Sequence, residues 1–215
     1  MKELYKNVLL ALQEENKETA VRLSIDALEE GKVNVAELYE MILVPALNHI
    51  IEEYTEEEEL IWREHVRSGI VRTIIESAYP YILAEKNKII KDKGKVIVMC
   101  PANEEHELGA RMVSDFFTLS GFDSTFVGAR TPLNTVLKAI EVVKPKYICI
   151  SVTNYYNLVS VKETISTIKD QNDSDIGFIV GGRAFAASPD AFNSIGADIL
   201  TQNFDDVKNL DKEVQ

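Results

Sequence analysis

The stretch KVIVMCPANEEHELGARM, Lys95 to Met112, decides the fold. It opens on a short apolar run of the kind that forms a strand buried on both faces, passes through a polar loop, PANEEHELG, and continues into a helical stretch. The same run recurs as STFVG (124–128), YICIS (147–151), GFIVG (177–181) and ADILT (197–201), with helical stretches of roughly 15 to 25 residues between them. Strands alternating with helices predict a five-stranded parallel, doubly wound α/β sheet, flavodoxin-like or Rossmann-like in class, over residues 91–215.

Upstream the pattern changes. From Lys2 to about Asn87 the apolar residues recur at helical spacing with almost no strand punctuation, and the segment reads as a four-helix cap domain, residues 1–90. Asn34, with Glu37 three residues on, forms a capping pattern ahead of Leu38, Met41, Ile42 and Ile50, and Pro45 is expected to bend that helix. The acidic run Glu56 to Glu59 separates the third and fourth helices. The fourth then carries Leu60, Ile61, Ile70, Val71, Ile74, Ile75 and Ala78 as an inward stripe.

The 215 residues are 46% hydrophobic and 27% charged, the composition of an ordinary soluble globular protein. The net charge of −12 disfavours direct binding to nucleic acid or to an anionic membrane. Residues 1–87 carry 9 basic and 18 acidic side chains of the 23 and 35 in the chain, so most of the excess acid lies in the helical part. Two cysteines, Cys100 and Cys149, each inside an apolar run, read as reduced core residues of a cytoplasmic chain. The N-terminal apolar stretch is too short for a signal peptide, and nothing later reaches membrane-spanning length.

In a doubly wound sheet ligands bind beyond the carboxyl ends of the strands, and the unusual residues of this chain sit there. Glu104, His106 and Gly109 follow the first strand, Ser151 and Thr153 end the third, and Gly181, Gly182 and Arg183 end the fourth. Three carboxylates in the first loop repel a phosphate, which argues against a nucleotide or flavin. Ser151 stands where a phospho-acceptor receiver needs an aspartate. One histidine with a carboxylate two residues before it suits a metal, because a ligating imidazole usually donates its second N–H to a carboxylate. A single imidazole does not hold a free ion, so the metal must arrive with most of its coordination filled, as in a tetrapyrrole-like macrocycle. Taken singly, Gly181-Gly182 is an ordinary tight turn and Ser151 an ordinary capping serine.

Glu104-x-His106-x-x-Gly109, 41 residues, Ser151-x-Thr153, 27 residues and Gly181-Gly182 together resemble the cobalamin-binding signature Asp-x-His-x-x-Gly, Ser-x-Leu, Gly-Gly. The resemblance implies base-off, His-on binding, with His106 as the cobalt ligand and the nucleotide tail running between Ser151 and Gly181-Gly182. The helical cap is similar to those of methionine synthase and the corrinoid methyl-carrier proteins, where the cap covers the upper corrin face. More finely, CPANEEHELGARM, VGARTP (128–132 with Val127) and VGGRAF (180–185) resemble the light-sensing cobalamin regulators. The cap of those proteins carries a Trp, nine residues and Glu-His; here Tyr54, nine residues and Glu64-His65 stand in that register.

There are departures. Glu104 replaces the aspartate typical of methyl carriers, Thr153 replaces a leucine, and Thr55 stands where a light sensor can place a second cobalt ligand. The resemblance therefore implies first a stand-alone cobalamin sensor or regulatory adaptor without turnover of its own. Such a protein would respond to adenosylcobalamin, and through it to light, by way of a protein partner, because no DNA-binding segment precedes the cap. The alternative is a corrinoid methyl carrier serving separate methyltransferases, with methylcobalamin. A homo-oligomer is compatible with either.

Overall fold

The computed structural model describes residues 1–53, 56–89, 92–171, 175–187 and 190–210. It divides into two compact units, Met1–Asn87 and Lys88–Gln215.

The first unit is helical: α1 (Lys2–Gln13), α2 (Lys17–Glu29), α3 (Val35–Leu38), a π-helical turn (Tyr39–Leu43), α4 (Val44–Glu53) and α5 (Glu57–Lys86). The chain supplies its own caps. Asn16 accepts from the Thr19 N–H at the start of α2, and Asn34 and Glu37 complete a capping box at α3 with two bonds of 2.9 Å. Pro45 acts on the turn before it. It has no N–H to offer Met41, and the backbone widens so that Val44 N–H reaches Tyr39 O instead. The widened turn shifts the helical register, and Met41 within it is 53% exposed.

The stripe on α5 is likewise shorter than the sequence suggests. Ile70, Val71, Ile74, Ile75 and Ala78 are buried, but Ile61 is 46% exposed, because nine residues at 100° each place it half a turn from Ile70. The helix also begins inside the acidic run. Glu57, Glu58 and Glu59 form its first turn, where carboxylates meet the positive end of the helix dipole. Arg67 is fully buried and donates to Gln13 O, and Glu15 accepts from Arg63 at 2.6 Å, which ties the α1–α2 turn to α5.

The second unit holds a parallel sheet of β1 (Lys95–Met99), β2 (Asp123–Gly128), β3 (Tyr147–Ser151), β4 (Gly177–Gly181) and β5 (Ile199–Thr201), in the order β2-β1-β3-β4-β5. Helices α6 (Leu108–Leu119), α7 (Leu133–Val143), α8 (Leu158–Gln171), α9 (Arg183–Ala187), α10 (Ala191–Ile195) and α11 (Phe204–Asn209) complete it. This is the α/β fold expected. Every residue of β3 is buried, as a central strand covered on both faces requires. The core joins Ile97, Ile148, Ile150, Val161, Ile165 and Phe178 across strands and helices.

Two details position the site. The winding reverses between β1 and β3, so the loops after these strands flank the crevice where such sheets bind ligands. The β1–β2 register also slips between Val98 and Met99, which sets Gly128, at φ +106°, opposite Met99 and folds the loop after β2 back over the loop after β1.

Candidate functional site

Glu104 is the centre of the crevice. Its side chain is 1% exposed, and its two oxygens accept from five donors. Oε1 takes the backbone N–H of His106 at 3.2 Å and faces His106 Nδ1 at 2.5 Å. Oε2 takes the backbone N–H groups of Thr153 at 3.0 Å and Asn154 at 2.8 Å, and the amide of Asn157 at 3.0 Å. One carboxylate thus spans the point where the winding reverses, joining the loop after β1 to the loop after β3. Burial alone would raise its pKa, but the bonds from His106, Asn154 and Asn157 override burial and hold the carboxyl at about 2, against an ordinary 4.5. It is therefore ionised throughout the physiological range.

The consequence for His106 is a fixed ring. With Nδ1 turned to a buried anion, the neutral imidazole carries its proton there, and coordination falls to Nε2. The His106 side chain is 59% exposed, so the ring stands at the mouth of the crevice while its anchor is inside. A carboxylate-oriented imidazole of this kind is built to ligate a metal. Among the described residues no three His, Cys, Asp or Glu side chains group as a metal site, so the pair suits a metal that brings its other ligands with it.

The other sequence-predicted residues divide into three groups. Gly109, at the first turn of α6, lies beside Ser151, and a Cβ there would meet only the Ser151 hydroxyl, at 3.8 Å. Ser151 ends β3, buried and paired in register with Gly181. Thr153 takes part through its main chain, by the N–H on Glu104. Gly181 and Gly182 answer a need of the fold itself. A Cβ at Gly181 would sit 2.6 Å from Thr201 O, and one at Gly182, where φ is +104°, 2.5 Å from Val152 O. Arg183 opens α9, exposed at the same edge of the sheet.

The third group belongs to the helical unit. Glu64 and His65 lie on α5, where Glu64 accepts from the Ser68 hydroxyl at 2.5 Å and His65 is 73% exposed. Tyr54 lies outside the described residues. Trp62, the single tryptophan, is 48% exposed with the Arg63 guanidinium 4.5 Å from its ring centre, so it is not packed in the core of its own unit.

Sequence reasoning passed over Asn157 and Asn154. Asn157 is buried and bonds both Glu104 and Asn103 O. The only signal it carried was an amide in the turn following a buried strand. Cys100 and Cys149 are core, as expected; burial pushes both thiols up to about 12, with the nearby Glu104 and Glu107 charges adding to the shift at Cys100.

These residues meet what a corrin-bound cobalt asks of a protein. It needs one axial nitrogen held in the right tautomer, which His106 and Glu104 supply.

Over 201 residues the chain is 22% identical to the trimethylamine corrinoid protein of Methanosarcina barkeri, covering 91% of this chain and 89% of that one. The fold matches the structure of the monomethylamine corrinoid protein of Methanosarcina barkeri with a TM-score of 0.81 at 19% identity, over 100% of this chain and 99% of the other. It matches the structure of the methanol:cobalamin methyltransferase complex from Methanosarcina barkeri with a TM-score of 0.51 at 19% identity, over 99% of this chain and 79% of that one. The B12 binding domain model matches residues 94–207, more than half of the chain and the whole of the sheet, and the chain belongs to that family of cobalamin-binding proteins.

Proposed function

We propose that this protein is a corrinoid methyl carrier, a non-enzymatic module that presents cobalamin to separate methyltransferases. The observation that carries the reading is the Glu104–His106 pair at the point where the winding reverses, in a chain similar along 91% of its length to a trimethylamine corrinoid protein. Bound cobalamin supplies a cobalt centre able to accept and give up a methyl group. His106 would bind that centre through Nε2 in place of the cofactor's own base, and Glu104 would keep the ring oriented and raise its basicity. Ser151, Gly109 and Thr153 would border the nucleotide tail, with Gly181, Gly182 and Arg183 at its far side. In this reading residues 1–90 serve as the cap domain, residues 91–215 hold the cofactor, and Glu64, His65 and Tyr54 are proposed as further cofactor-binding residues.

The sequence placed a sensor or adaptor ahead of a carrier. The relatives found favour the opposite order: two are methylamine corrinoid proteins and the third is a methanol:cobalamin methyltransferase complex, and none of these comparisons adds support for a light-responsive regulator. Partner chemistry follows from the carrier role, since a carrier without turnover of its own needs a methyltransferase on each side of the exchange.

Reconstitution tests the proposal. Loaded with cobalamin, the protein should show a base-off, His-on visible spectrum that His106→Ala abolishes, and a corrinoid-dependent methyltransferase with a methylamine should methylate the reduced, loaded protein. Loading without methyl transfer, together with a light-dependent change in absorption and elution volume of the adenosylcobalamin form, would return the sensor to first place.

A further inference from the structure

The loop Gly128–Pro132, singled out by its sequence, is not used by any role assigned so far. Its main chain is stitched to the His106 loop at three points: Cys100 N–H donates to Gly128 O, Ala129 N–H to Glu107 Oε2 at 3.2 Å, and Arg130 N–H to Glu104 O at 3.0 Å. The buried Thr131 hydroxyl closes the turn on Gly128 O at 3.0 Å. Arg130 is thereby fixed one hydrogen bond from the residue that orients His106. Its φ is +51°, a left-handed conformation that costs every side chain more than it costs glycine.

Its guanidinium reaches Glu105, the residue between Glu104 and His106, at 2.8 Å. Both side chains are about 70% exposed, at 70% and 69%, so the ion pair is worth little to the stability of the fold. What it offers is chemistry. A guanidinium donor next to a carboxylate acceptor is the complement of a primary carboxamide, whose oxygen accepts and whose nitrogen donates. The periphery of the cobalamin corrin is lined with such carboxamides, and Glu105 immediately precedes the proposed cobalt ligand in the chain.

We propose that Arg130 and Glu105 form a carboxamide-reading pair on the rim of the cofactor site, Arg130 donating to the oxygen and Glu105 accepting from the nitrogen of one corrin side chain. The inference rests on the cobalamin reading of His106. It makes the pair a specificity device that favours the fully amidated corrin over forms carrying a peripheral carboxylate, which Glu105 repels.

The left-handed backbone supplies a clean variant. Arg130→Gly relieves the strain and removes the guanidinium, so the cofactor-free protein should melt at the wild-type temperature or above it. In titrations followed by absorbance and by calorimetry the variant should bind cobalamin about tenfold more weakly, about 1.4 kcal/mol, while its His-on spectrum at saturation stays that of the wild type. The wild type should also bind at least one peripheral monocarboxylate derivative of cobalamin more weakly than cobalamin, and Glu105→Gln should narrow that gap. Wild-type affinity in Arg130→Gly overturns the proposal, including the case in which only binding to a methyltransferase is lost. Equal affinity of the wild type for cobalamin and every monocarboxylate form overturns it too. If the wild type itself takes up no cobalamin, the failure lies in the reading of His106 and not in the pair.

Discussion

Glu104→Gln perturbs the one group on which the site is hung. Glutamine keeps the volume but turns one acceptor oxygen into an NH2 donor, in a place where both oxygens face donors only. With the amide oxygen left toward Thr153, Asn154 and Asn157, its nitrogen faces His106. The imidazole must then accept at Nδ1 and move its own proton to Nε2, the atom that would bind cobalt. Loss of the carboxylate behind a ligating histidine costs roughly 10- to 100-fold in metal affinity, about 1 to 3 kcal/mol.

Stability falls as well. Depression of the carboxyl from 4.5 to about 2 corresponds to roughly 3 kcal/mol in favour of the folded state. Because the folded pKa lies below the unfolded one, that contribution is complete above about pH 4.5 and is lost as the pH falls toward about 2. Urea unfolding of the cofactor-free protein at pH 7 should therefore show the variant about 3 kcal/mol less stable, with the difference closing below pH 4, and titration with cobalamin should show weakened His-on binding. Equal stability at pH 7, or an unchanged spectrum and affinity, would refute the role given to this carboxylate.

Asn157→Leu removes one donor to the same carboxylate and should destabilise the protein by about 2 kcal/mol in urea titration, since a hydrogen bond to a charged group is worth about 1.5 to 3 kcal/mol. Gly182→Ala pushes a methyl group against the Val152 backbone at φ +104°; a loss of about 3 kcal/mol is expected, visible in thermal melts of the cofactor-free protein. Cys100 and Cys149, both buried with thiols at about 12, should resist alkylation by iodoacetamide at pH 8 in the native protein and react once urea unfolds it.

Much of this was legible in the chain. Five short apolar runs at regular spacing could only be buried parallel strands, because period and burial are local properties of the pattern. The Asn34–Glu37 box was equally local, and the motif residues around His106 fell at strand ends as any doubly wound sheet requires. Where local pattern was asked for a long-range answer, it misplaced Ile61, which lies half a turn from the stripe it was assigned to.

The partners of Glu104 could not be read from the sequence at all. A carboxylate two residues from a histidine suggests a pair, but its other three donors come from residues 49 to 53 positions away, delivered by the exchange of sides between β1 and β3. The glycines gained a second meaning for the same reason. In sequence they suggest room for a ligand, and the fold adds a reason the sequence did not show: a side chain at Gly181 or Gly182 would meet the backbone of Thr201 or Val152. Which elements form is set by residues within a few positions of one another. Which polar groups close on each other is set by strand order, and that is a property of the folded chain alone.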